Sequence, residues 1–160
     1  MDSIDFSGFE EVMKDMEYLE DHKVEYGYLD NQPHPSNPEI NVATVAMYNN
    51  EGVKNTGGGS WKIPPRPFME ISGIIVDSRL DEFSDQVMWA VTKGKSGIDL
   101  SLDYVAKECA DTIRQSIDTQ EFVPNAPSTQ QQKQGDTILI DSGVLYDSAK
   151  GDVVKYSEED

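Results

Sequence analysis

The chain has 160 residues, 13 of them basic and 30 acidic, for a formal net charge of −17. That length suits one domain with its own core, and 37% apolar residues plus 12 glycines fit a folded domain with solvated extensions. The charge argues against a nucleic-acid footprint, which needs lysines and arginines on phosphates, and against an anionic membrane surface.

No run approaches the ~20 apolar residues of a membrane span, and no signal-peptide pattern opens the chain. The single cysteine, Cys109, has no partner for an intramolecular disulfide and suits a reducing cytosol, so synthesis and assembly are expected in the cytoplasm.

The first predicted helix rests on Phe6, Phe9, Val12, Met13, Met16 and Leu19, which recur at three- and four-residue steps, with Ser7 and Glu10 as a capping box. Its other face carries Glu10, Glu11, Asp15, Glu17 and Asp21, ordinarily the sign of a solvated acidic face. Over 23–29, Val24, Tyr26 and Tyr28 alternate with Lys23, Glu25 and Gly27, the period of a strand. "DNQPHPSNPE" is a polar, turn-rich loop. In "INVATVAMYNNEG", Asn41 caps a helix with Val42, Val45, Ala46 and Asn49 on one face, and Gly52 ends it in left-handed geometry. "NTGGGS" reads as a flexible tip.

"WKIPPRPFMEISG" follows. Proline fixes φ, withholds a backbone donor and pushes the preceding residue toward an extended conformation. Residues 61–69 are therefore predicted to be a stiff, non-helical arm that delivers Phe68 and Met69 to a defined place. Ile71, Ile74, Ile75, Phe83, Val87, Ala90 and Val91 then outline a second long helix, stopped at Lys93 and Gly94. A third runs from about Leu100 through Val105, Cys109 and Ile113 to Ile117, and the short "GKSG" link makes the two antiparallel.

"VPNAPSTQQQKQGD" is too polar to hold a core position, and 128–134 is predicted to form one or two helical turns ended by Gly135. A short apolar run at 138–140 precedes turn chemistry at Asp141, Ser142 and Gly143, and Val153 and Val154 suit a late strand. The expected fold class is α+β: two long antiparallel helices and shorter helices packed on a small, mainly antiparallel sheet. The expected organisation is an N-terminal amphipathic helix over 1–22, a single domain over 23–156 and an acidic tail over 157–160.

Catalytic patterns are not apparent. His22, His34 and Cys109 fall short of a structural zinc set. "TGGGSWK" lacks the glycine before Lys62 and the Ser/Thr after it that a phosphate loop requires. Asp30, His34 and Ser36 are neighbours only in sequence, whereas triads are assembled from distant segments on rigid elements. Neither a G-x-S-x-G elbow nor a calcium-loop spacing occurs. The expectation is no enzyme, no cofactor and no metal.

The order of five pieces carries more information. "VEYGYL", "VATVAMYNNEG", "KIPPRPFM", "PSTQQQKQGD" and then "LIDSGVLYDS" follow one another over most of the chain. This order resembles the virion-morphogenesis (tail-completion, or neck) proteins, the small head–tail joining family of Mu-like and many other tailed phages. That family shows a strand ending in a glycine-containing turn and a short helix closing on "N-E-x-G". It then shows "I-P-x-R-P-F" before a long helix, a polar "S-T-x-x-x-K-G" piece and "L-I-D-T-G-x-L". Departures are "NNEG", Ser142 where threonine is commoner, and a short acidic end. The resemblance implies a structural, non-enzymatic virion protein, working as a homo-oligomeric ring in the neck between head connector and tail proteins, with DNA passing through unbound.

The interface and structural positions it directs attention to are Trp61, Ile63, Pro64, Arg66, Phe68, Met69, Asp141, Gly143 and Leu145. Two readings of the arm stay open. Phe68 and Met69 plug the domain's own core, or Trp61, Ile63 and Pro64 meet a neighbour, since tryptophan and arginine are favoured interface anchors. Arg66 is expected to form a bidentate ion pair with Asp141, because a planar guanidinium matches a carboxylate. Glu10, Glu11, Asp15 and Glu17 are candidate lumen acids that repel passing DNA, the plainer alternative being solubility of the free subunit. A rival class is an acidic DNA-mimic inhibitor, but ten acids crowd the first thirty residues while 52–66 is almost free of them, and mimicry gives no reason for the arm. A tail terminator or tail-tube subunit differs only in its place in the particle.

Overall fold

The computed structural model describes residues 7–57, 60–132 and 137–156. In chain order these form α1 (Ser7–Glu20), β1 (His22–Gly27), β2 (Pro33–His34), β3 (Asn37–Asn41), α2 (Val42–Glu51), β4 (Val53–Lys54), β5 (Trp61–Ile63), α3 (Phe68–Ser78), α4 (Leu80–Val91), α5 (Lys95–Asp118), α6 (Pro127–Gln132), α7 (Val144–Asp147) and β6 (Lys150–Lys155). The expected α+β class holds.

Helix α5 is the axis. Ile98, Leu102, Val105, Cys109, Ile113 and Ile117 recur at steps of three and four and are all buried. The preceding helices run back along it: Val91 clusters with Ile98 and Leu102, Phe83 with Val105 and Cys109, and Ser72 meets Thr112. Each step back in one strip is a step forward in the other, so the packing is antiparallel.

The predicted second helix is broken in two at Arg79, whose φ of −111° and ψ of 4° leave the helical basin. Its apolar pattern also misplaces one residue: Ile74 is 68% exposed, while Ser72 is fully buried. Likewise α5 begins at Lys95 rather than near Leu100, and Leu100 is 72% exposed.

The strands form three separate antiparallel ribbons, β1–β6, β2–β3 and β4–β5, instead of one small sheet. The loop "DNQPHPSNPE" contains the second of them. Strand β1 pairs with β6, the last strand among the described residues, Tyr26 opposite Gly151. A Cβ on Gly151 would stand 1.8 Å from the Ala106 carbonyl oxygen, so the α5 backbone rests directly on β6 and only glycine fits.

Asn41 caps α2 as expected, its side chain accepting from the Thr44 N–H, and Val42 and Ala46 are buried. In α1, Met16 and Leu19 pack on Val91, Ile98 and Leu102, while Phe9, Val12 and Met13 are exposed. Phe6, Gly135 and the predicted tail at 157–160 lie outside the described residues. Among the described residues no helix is long and apolar enough to cross a membrane.

Candidate interface: the proline arm and the closing turn

The arm begins as β5, paired with β4 so that Ile63 faces Val53 and Trp61 faces Lys54. After Pro64 and Pro65 the chain passes tightly over the end of α2. Gly52 has φ 78°, and a Cβ there would lie 2.7 Å from Pro65 N and 2.8 Å from the Ile63 carbonyl oxygen. Glycine is thus required twice, for its backbone angle and for the space. The Arg66 N–H then donates to the Asn49 carbonyl at 2.9 Å, satisfying an orphan acceptor at the C-terminus of α2.

The arm's non-helical part ends at Pro67, because Phe68 and Met69 open α3. Pro67 offers no side-chain cap, and Asn50 supplies one from outside: its Oδ1 accepts from the Met69 N–H at 3.0 Å and its Nδ2 donates to Glu70 Oε1 at 3.1 Å. The "NN" of the α2 end therefore fastens the start of α3. Phe68 is fully buried, edge-on to Tyr28 at 6.3 Å, in the cluster that also holds Ile113, Ile117, Leu139 and Leu145. Tyr28 Oη is buried without a partner, and desolvation pushes its phenol well above the ordinary value.

Arg66 is 7% exposed. Its Nε donates to the Val123 carbonyl at 3.2 Å and its Nη2 to Asn125 Oδ1 at 3.0 Å. Asn125, itself buried, passes the network on through Nδ2 to the Thr137 carbonyl. The predicted ion pair with Asp141 is not formed: Asp141 is exposed, and the guanidinium is held by neutral acceptors. Burial alone lowers the Arg66 pKa from its ordinary value. The expectation that 123–136 holds no core position fails at Asn125. A signal was present, because Pro124 and Pro127 flank Asn125 and stiffen the loop that presents it.

The two motifs do meet. An open cavity of about 300 Å³ lies under the arm, lined by Ile63, Pro64 and Arg66 on one side and by Asp141, Gly143 and Leu145 on the other. Gly143 has φ 80° in the left-handed region, which turns the chain into α7 and buries Leu145. Leu139 also adopts positive φ, 62°, and the adjacent Ile138 is pinned by Gln120, whose Oε1 accepts from Ile138 N–H at 2.7 Å and whose Nε2 donates to the Ile138 carbonyl at 3.0 Å. Trp61 is 45% exposed, Lys62 is exposed, and Met69 is half-buried behind Phe68. Core and surface roles thus divide along the arm: Arg66 and Phe68 anchor it, and Trp61 stands outside.

Of the acids on α1, Glu10, Glu11 and Glu17 are exposed, and Asp15 is half-buried beside Gly94. No group of three or more His, Cys, Asp or Glu residues suited to a metal occurs among the described residues. Compared with known proteins, the chain matches no family model, no curated protein and no solved structure.

Proposed function

We propose that this chain is a non-enzymatic structural subunit of a tailed-phage virion: a ring-forming head–tail joining protein of the neck, assembled in the host cytoplasm, through which DNA passes. One observation carries the reading. The two stretches that resemble the virion-morphogenesis family, "IPPRPF" and "LIDSGVL", are far apart in sequence yet line a single cavity. A motif pair that converges this way is a built feature of the fold.

The physical form of the arm supports the same reading. Prolines, Gly52 and the Arg66 network order it before any partner arrives, so docking costs little further conformational entropy. Trp61 is then a pre-positioned aromatic anchor for a neighbouring copy, or for connector and tail proteins. Glu10, Glu11, Asp15 and Glu17 line the passage, where carboxylates keep a duplex from binding its wall.

The test is light scattering of the purified chain with and without head–tail partners, followed by particle imaging. An oligomer or partner complex that Trp61→Ala weakens, seen at the neck, is the expected result. A chain that stays monomeric with those partners and is missing from particles overturns the reading, and inhibition of a DNA-binding enzyme by that monomer would establish mimicry instead. Replacing the four acids by glutamine and asparagine should alter DNA delivery by the particles that form. Unchanged infectivity removes the lumen assignment.

A further inference from the structure

Two apolar surfaces are left uncovered on different parts of the molecule. The first is the beginning of α1: Phe9 is 65%, Val12 42% and Met13 46% exposed, at the i, i+3, i+4 spacing by which a helix enters a groove. The same stripe continues into Met16 and Leu19, which are packed on the chain's own core. The helix is thus held at one end and offers an apolar face at the other.

The second is a groove of about 500 Å³ between α4 and α5, bordered by Trp89, Lys93, Gly97, Leu100, Ser101 and Tyr104. Trp89 is 64% and Leu100 72% exposed, a large aromatic and aliphatic surface to leave in water. The groove owes its shape to Gly97, where a Cβ would come within 2.5 Å of Lys93 Cβ. In its wall, Ser101 Oγ is buried with no hydrogen-bond partner, an atom that an incoming polar group would satisfy. The α5 positions that border it, Gly97, Leu100 and Tyr104, alternate with Ile98, Leu102 and Val105, which face the core.

We infer that the exposed stripe of α1, Phe9, Val12 and Met13, docks into the α4–α5 groove of a second copy of this chain. Charge selects this occupant. Helix α1 carries Glu10, Glu11, Asp15, Glu17 and Glu20 against Lys14 alone. The groove lining holds no acid, in a chain of net −17, and its one charge is Lys93, whose Nζ stands 4.7 Å from the Trp89 ring centroid. Helix and groove are different surfaces, so the contact is heterologous, and such contacts propagate head to tail until the rotation closes a ring. The inference rests on the ring reading and adds the contact that gives the ring its direction.

The experiment mixes two variants of the full chain that each carry one added cysteine, Val12→Cys and Leu100→Cys, under mild oxidation; the native Cys109 is buried and stays out of reach. A covalent heterodimer in excess over both homodimers is expected, and Phe9→Asp in the first variant should abolish it. In parallel, Phe9→Asp and Leu100→Asp, both at exposed sites and checked for unchanged helix content, should each raise the concentration for half-assembly by roughly tenfold or more. Rings that form without the 12–100 cross-link and ignore both aspartates overturn the docking while leaving the ring reading intact. A selective cross-link in a chain that builds no ring supports the docking and defeats the ring. Absence of both cross-link and oligomer overturns the docking as well.

Discussion

The Arg66 guanidinium donates to Asn125 Oδ1 across 3.0 Å, joining the proline arm to a loop 59 residues further along the chain. Both side chains are buried, so each is the other's replacement for water. Asn125→Leu takes one of two acceptors from a buried charge, the Val123 carbonyl remaining, and should cost about 1.5–3 kcal/mol, the range for a hydrogen bond to a charged group. Arg66→Lys keeps the charge but loses the planar fork, and should cost about 1–3 kcal/mol. Urea midpoints for both single variants and for Arg66→Met with Asn125→Leu measure the coupling. The double variant should be clearly less damaged than the sum of the singles.

Glycines within the same segment are predicted to respond in opposite directions. At Gly52 the positive φ and the 2.7 Å approach to Pro65 N both resist a methyl group, so Gly52→Ala should destabilise by more than about 1 kcal/mol and loosen the arm. Gly73 lies inside α3 with nothing within 4 Å of its would-be Cβ. Gly73→Ala should therefore stabilise by about 0.5–1 kcal/mol, the helix-interior difference between the two residues. Thermal midpoints of the two variants, measured side by side, check the sign of each.

What was legible in the chain was whatever depends on local spacing. The strip from Val105 to Ile117, the Asn41 cap and the glycine stop at Gly52 are properties of neighbours in sequence, and they stand where the pattern puts them. The break at Arg79 is hidden by the apolar residues on either side, Ile75 and Phe83, which fit one helical strip although 77–82 between them carries Leu80 alone among polar residues. At the break the guanidinium clamps Glu82 on α4 and Glu108 on α5 and lies over the Phe83 ring, so part of what holds it comes from a residue 29 positions away. The β1–β6 ribbon was equally hidden as a pair, since its strands come from opposite ends of the chain. At the arm, residue types named Arg66 correctly as an anchor but supplied the wrong partner. A guanidinium in sequence suggests a carboxylate, whereas the fold satisfied it with a carbonyl and an amide.

Another misread position is Ser72, a polar residue on the buried face of α3. Its Oγ lies 2.6 Å from Thr112 Oγ1, and Thr112 Oγ1 also donates to the Cys109 carbonyl at 2.7 Å. The two hydroxyls are unequal: the Thr112 proton goes to the carbonyl, so Ser72 is the donor to Thr112. Thr112→Val takes the Thr112 oxygen from the buried Ser72 hydroxyl, leaving it only the neighbouring Tyr26 phenol, and should cost about 1–3 kcal/mol. Ser72→Ala leaves Thr112 still bonded to Cys109 and should cost less, about 1 kcal/mol. The double replacement removes both polar groups from a dry seam and should be milder than Thr112→Val alone, measured by urea unfolding.

The clamp at the helix break gives a pH signature. Arg79 Nε and Nη2 each donate to Glu82 at 3.1 Å, and this hydrogen bonding holds the Glu82 carboxyl below its ordinary 4.5. A carboxylate whose folded pKa is depressed stabilises the fold at pH values above its unfolded pKa, and the contribution is lost as pH falls through the depressed value. Acidification also relieves the repulsion of a chain with net charge −17, so the total stability of one protein is a poor readout. The difference between wild type and Glu82→Gln isolates the clamp. Glu82 is exposed, so the difference is small and salt-sensitive. It should be present at neutral pH, shrink below the unfolded pKa of 4.5, and vanish once wild-type Glu82 is protonated. Urea midpoints at low ionic strength, taken for both proteins from neutral pH downward, give the curve; a difference that persists unchanged in acid would mean that the Arg79–Glu82 bond does not stabilise the break.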